Sequence, residues 1–158
     1  MRNTMNKFAT AVVLGSLIAL AALTISYAQG GSDERTIEGT WKTVVTPTVC
    51  QTGAPAAPAF PGILAFAKGG TLSGTSATVT SAYGAWERGG GPQNYTFAFT
   101  NLRYNASGAV IGSQVVRQTA VLTQFGSAFT STGTVEFLDT NGNVVGSGCA
   151  TSSGARFQ

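Results

Sequence analysis

From Ile37 onward the chain is a succession of short runs rich in Val, Thr, Phe and Tyr, cut by Gly, Pro, Asn and Asp, with no sustained helical periodicity. β-branched and aromatic side chains suit a pleated, half-buried surface, and turn-forming residues at this spacing mark an all-β sandwich or barrel. The runs predict eight strands: 37–49, 63–67, 70–75, 83–88, 93–104, 109–122, 127–138 and 143–152. Most connections are tight, so consecutive strands are expected to pair as antiparallel hairpins.

An internal repeat supports that register. Asn105-Ala-Ser-Gly108 with the following Val110-Ile-Gly-Ser113 matches Asp139-Thr-Asn-Gly142 with Val144-Val-Gly-Ser147. In each, the side-chain oxygen caps a type I turn and Gly takes the left-handed position. The two turns are separated by two strands, which places them at the same end of a meander.

An open eight-stranded meander leaves two bare edges, so the first and last strands are expected to meet. In an antiparallel pair the partners' residue numbers sum to a constant. Cys50 and Cys149 sum to 199, and Trp41 and Arg156 to 197, two pairs that agree on one register to within two residues. An even cysteine pair in an exported chain reads as a disulfide. This one closes about a hundred residues, worth on the order of 4 to 5 kcal/mol in the chain-entropy picture.

Export is read from the N-terminus. Residues 1–28 hold a basic start (Arg2, Lys7), an apolar run from Phe8 to Ile25, and Ser26-Tyr27-Ala28, whose small first and third residues suit signal-peptide cleavage. The other reading is an uncleaved anchor, which the absence of a charged stop-transfer cluster disfavours. The expected organisation is therefore a signal peptide at 1–28, a flexible tail at 29–36 and a single β-barrel domain at 37–158. Cleavage removes two of the nine cations, leaving seven against six carboxylates. A mature chain so nearly neutral, without a basic run, has no expected nucleic-acid partner, and no membrane span remains after cleavage. The expected location is the periplasm or the cell exterior.

Histidine is absent. That excludes Ser-His-Asp and Cys-His chemistry and imidazole metal ligands. The carboxylates left for a paired acid/base site are Glu87, Glu136 and Asp139. Asp139-x-Asn141-x-Asn143 lacks the Gly and late Glu of an EF-hand, and Gly89-Gly-Gly91-Pro92 lacks the helix that a phosphate cradle needs. No catalytic residue, metal or cofactor is expected.

Gly39-Thr40-Trp41 at the start of the first strand, with Arg156 after the last and able to lie across the indole, resembles the signature of lipocalins and related calycin barrels. The resemblance implies an eight-stranded up-and-down barrel, closed at the bottom by Trp and Arg, whose open end binds small apolar ligands. More closely, the run from Gly39 through Tyr83-Gly-Ala-Trp86, Gly142-Asn-Val-Val-Gly-Ser-Gly-Cys149 and Arg156-Phe157 resembles a group of small exported bacterial proteins with a lipocalin-like barrel. The second and third lipocalin motifs and the long C-terminal helix have no counterpart here. Gly39-Thr-Trp is also similar to the first strand of avidin-type barrels, whose other biotin-contacting tryptophans have none either.

The fold class expected is thus an all-β, eight-stranded, antiparallel up-and-down barrel, lipocalin-like, behind a signal helix. Candidate ligand contacts are Phe60 in the proline-stiffened loop 50–62, Trp86, the alternating Tyr95, Phe97 and Phe99, and Phe129 and Phe137 two strands on. Alternating aromatics suit either a filled interior or the wall of a cavity for one small ligand. Arg117 and Glu136 fall in consecutive strands, where a solvated outer-face pair is the favoured reading and the other is that one of them points inward to orient a ligand carboxylate, Arg117 being the candidate contact. The leading expectation is a non-catalytic binder of a small apolar or amphipathic molecule. Two others stand beside it: an enzyme like the allene-oxide-cyclase-type barrels, and a structural or interaction protein with a solid core.

Overall fold

The computed structural model describes residues 36–123 and 125–157. The expected signal segment and nearly all of the expected tail lie outside the described residues. Eight strands follow in order: β1 (Gly39–Thr48), β2 (Phe60–Phe66), β3 (Thr71–Ser76), β4 (Val79–Arg88), β5 (Asn94–Tyr104), β6 (Val110–Leu122), β7 (Ala128–Leu138) and β8 (Val144–Arg156). Each pairs antiparallel with its sequence neighbour, and β8 pairs with β1, closing the barrel. Closure satisfies the backbone groups that an open meander would expose at its edges.

The closing ladder runs from Trp41↔Arg156 to Thr48↔Cys149, so its constant is the one predicted by the Trp-Arg pair. Cys50 lies two residues beyond the end of β1, not in it. The disulfide therefore joins Cys149 to the turn that follows its ladder partner Thr48, with the Cα atoms 5.1 Å apart. Arg156 is the last residue of β8 rather than a residue after it. Ser152-Ser-Gly-Ala has little strand propensity of its own, but it is bonded to β1 on one side and β7 on the other. The same context carries β2 back to Phe60 and β4 back to Val79, where small and proline residues masked the strands.

The two matched turns have matching geometry. Asn105 Oδ1 accepts the Ser107 and Ala109 amides at 3.0 and 2.9 Å, and Asp139 Oδ1 accepts those of Asn141 and Asn143 at 2.9 and 2.8 Å. Gly108 and Gly142 supply φ of 82° and 85°, left-handed values that a Cβ disfavours. Both turns stand at the end of the barrel opposite Trp41 and Arg156, here called the upper end.

The lower half is packed solid. Trp41, Phe66, Tyr95 and Phe129 are almost fully buried, with Ile37, Leu72, Ala120 and Leu122 between them. Trp41 meets Phe129 at 5.1 Å and 71°, and Phe66 meets Phe97 at 5.4 Å and 79°, edge-to-face contacts worth about 0.5–1.5 kcal/mol each beyond their area. The Trp41 indole Nε1 donates to Ile37 O at 2.7 Å, which satisfies its buried polar atom. Gly154 faces this cluster because a Cβ there would run into the Phe129 ring.

Candidate functional site

Above the aromatic floor the barrel is hollow. A cavity of about 500 Å³ is walled by Phe97, Phe99, Val116, Val135 and Phe137 from β5 to β7 and by Phe60 and Leu64 from β2. Its size falls within the range of ordinary small-molecule sites. Among the described residues no Asp, Glu, Lys or Arg lines it; its polar side chains are hydroxyls and amides, among them Thr43, Gln114, Gln118, Ser147 and Ser152.

The Cys50–Ala59 connection borders the cavity at its upper end. It turns tightly and doubles back on β1, with Val49 N donating to Ala54 O at 2.8 Å and Ala56 N to Pro47 O at 2.9 Å. Thr48 and Pro55 form an isolated bridge, and the disulfide ties the turn to β8. Ala56 and Phe60 reach the cavity from this side, and Cys149 lines it too. Across the barrel the half-buried Arg103 lies with its guanidinium 5.0 Å from the Phe137 ring centroid.

The structure brings together four of the eight predicted ligand contacts: Phe60, Phe97, Phe99 and Phe137. Tyr95 and Phe129 point inward as expected, but at the level of the packed floor. Phe129 and Phe137 share one face of β7 yet stand roughly 27 Å apart along it, at about 3.4 Å per residue. Trp86 also belongs to the lower end, where its Nε1 donates to Ala67 O at 2.9 Å and its ring meets Phe66 edge-on. Arg117 faces outward and donates from Nη1 to Glu136 Oε2 at 2.6 Å, with the side chains 56% and 39% exposed. Its parity decides this: Val116, Gln118, Ala120 and Leu122 are the inward residues of β6. Glu87, another carboxylate considered for acid/base work, accepts from Thr96 Oγ1 at 3.1 Å on the exterior.

The sequence reading missed the polar floor of the cavity. Gln118 is 6% exposed, and its Oε1 accepts from Ser131 Oγ at 2.5 Å and from Ser152 Oγ at 3.4 Å, hydroxyls from β7 and β8. Continuing the alternation from Val116 to Ala120 would have placed Gln118 inward. Asn101, the ladder partner of Gln114, is also turned inward and buried; its Nδ2 donates to Leu102 O, while its Oδ1 has no partner among the described residues.

Fold and cavity define a disulfide-linked, closed eight-stranded antiparallel barrel with a solid lower half and a hollow upper half whose cavity, among the described residues, is lined by no ionisable side chain. The chain matches no protein-family model, no curated protein and no solved structure.

Proposed function

We propose that this is an exported, lipocalin-like barrel that holds one small apolar or amphipathic molecule in its upper half, without chemistry. The observation that carries the reading is the cavity of about 500 Å³ above an otherwise close-packed core. Protein interiors leave few voids larger than a water molecule, so a space of this size marks a binding site rather than imperfect packing. That no ionisable side chain lines the cavity among the described residues supports binding over catalysis, since proton transfer and charge stabilisation need placed titratable groups. The disulfide supports an oxidising, exported location, as do the signal-like residues 1–28. The Trp41-Arg156 closure supports the calycin likeness, which bears on architecture alone.

Native mass spectrometry of protein purified from its own host should show a co-purifying small molecule of defined mass. A plugged variant gives the matching test in vitro. A Cβ on Gly148, which lines the cavity, meets no atom within 4 Å, so the ring of Gly148→Phe can enter the empty space. That variant should fold as the parent does and lose binding of a neutral apolar fluorophore such as N-phenylnaphthylamine. Binding at full strength by the plugged variant would exclude the barrel interior as the site.

A further inference from the structure

We infer that the ligand is an uncharged molecule with a hydrogen-bond acceptor such as a ketone, ester or amide carbonyl at its inner end, and that Gln118 Nε2 reads that acceptor. The inference rests on the binding role proposed above and narrows it to a class of ligand and a direction of entry.

It begins with the hydrogen-bond accounting of one buried amide. The two hydroxyls that converge on Gln118 Oε1 come from strands on the same side of the barrel, so they fix which way the amide plane faces. The carbonyl oxygen is thereby occupied, and the NH₂ group is the free end. Among the described residues no atom accepts from Nε2, and it is not sealed from the cavity that Gln118 lines. A primary amide brings two N–H donors, and leaving a buried donor unpaired costs about 1–3 kcal/mol. The cavity therefore presents a donor at its floor, surrounded by Phe97, Val116 and Ala150.

Charge settles what can accept from it. A carboxylate would satisfy the N–H groups, but among the described residues no Lys or Arg lines the cavity to pair with it. Stripping an unpaired anion of water costs more than one neutral hydrogen bond returns. A neutral carbonyl needs only the hydrogen bond and leaves the rest of the molecule to the phenylalanine walls. At water's ~30 Å³ per molecule, 500 Å³ corresponds to about seventeen non-hydrogen atoms, enough for a polar head and a chain or fused rings. The half-buried Arg103, stacked on Phe137, offers an anionic ligand the opposite placement, with its head toward the guanidinium and its tail toward the floor. The two orientations make opposite demands on Gln118 and Arg103, which lets one experiment separate them.

The test displaces N-phenylnaphthylamine from the disulfide-intact mature protein with methyl decyl ketone, dodecanoate and dodecane, all of twelve carbons. The ketone should displace the probe at a concentration at least about tenfold below that of dodecanoate. Gln118→Met, close to the parent in shape but without the donor, should weaken the ketone about tenfold and leave dodecane unchanged or tighter, the size of one neutral hydrogen bond. Should Gln118→Met not fold, the Ser131→Ala, Ser152→Ala double variant frees the amide to rotate, and the ketone's advantage over dodecane should shrink. Equal binding of ketone and carboxylate, an unchanged ketone affinity in both variants, or a preference for dodecanoate that Arg103→Met removes would each overturn the inference while leaving a binder. Failure of the parent to bind the probe or any of the three compounds would instead overturn the binding role itself.

Discussion

Arg156 and Trp41 are ladder partners across the β1–β8 seam, and the guanidinium carbon of one stands 4.3 Å from the ring centroid of the other. The fork is also spent on three carbonyls: Nη1 donates to Glu38 O at 2.6 Å, Nη2 to Thr36 O at 2.7 Å and Nε to Gly126 O at 3.0 Å. One side chain thus ties the segment before β1, the β6–β7 turn and the fully buried indole together at the closed end of the barrel. Hydrogen bonds from a charged group contribute about 1.5–3 kcal/mol each before overlap is allowed for. Arg156→Met should therefore lower the unfolding free energy in urea by roughly 2–4 kcal/mol. Arg156→Lys, which keeps the charge without the planar fork, should recover less than half of that loss. Full stability in the lysine variant would mean that charge alone closes this end.

The disulfide reinforces a seam that hydrogen bonds already close from Trp41 to Thr48. Its removal by serine at both Cys50 and Cys149 should leave the far-ultraviolet circular dichroism of the barrel unchanged. With the cysteines 99 positions apart, the variant should lose about 2–4 kcal/mol of stability, below the chain-entropy value of ~4.7 for a loop of this length. Loss of β structure at room temperature would show that the bridge, not the ladder, holds the ends together.

Strand number, pairing order and closure were legible because each has a local sequence correlate: alternation, turn residues, and the paired positions of Trp41 and Arg156. The closing constant came from that pair, whereas Cys50 was two residues off because a disulfide can reach from a turn as well as from a strand. Which residues face inward was legible too, from alternation with a period of two. Height within the barrel was not. Tyr95 and Phe99 belong to one inward stripe, yet one fills the floor and the other walls the cavity, because height depends on which residues of eight strands share a level. Gln118 is legible by parity alone, since the exposed Arg117 turns its neutral neighbour inward.

Arg117 consequently offers a control on the exterior. Its pair with Glu136 is short but solvated, a setting in which ion pairs contribute about 0–1 kcal/mol. Arg117→Ala should shift the urea midpoint only slightly and leave probe binding unchanged. A large loss of binding would place the ligand on the outer face of β6 and β7 instead of in the barrel.

Acid should loosen the β7–β8 turn only at low pH. Hydrogen bonds from the Asn143 side chain, the Asn143 backbone, and the Asn141 and Gly142 amides hold the Asp139 carboxyl below its ordinary 3.8, with the Asn143 side chain the largest contributor. A carboxyl lowered on folding contributes stability that is complete above its unfolded value and is lost as pH falls through the folded one. The turn should therefore keep its geometry at neutral pH and down to about pH 4, then loosen below 3.8 as Asp139 takes up a proton and accepts hydrogen bonds less well. An NMR titration reads this directly: the backbone amide of Asn143, which donates to Asp139 Oδ1 at 2.8 Å, should shift with a midpoint below 3.8. In Asp139→Asn the same amide should not titrate over that range, and the variant's stability deficit against the parent should narrow as the pH is lowered. A midpoint at or above 3.8 in the parent would mean that the Asn143 contacts do not hold the carboxylate in solution, and that the turn is set by Gly142 and its backbone hydrogen bonds alone.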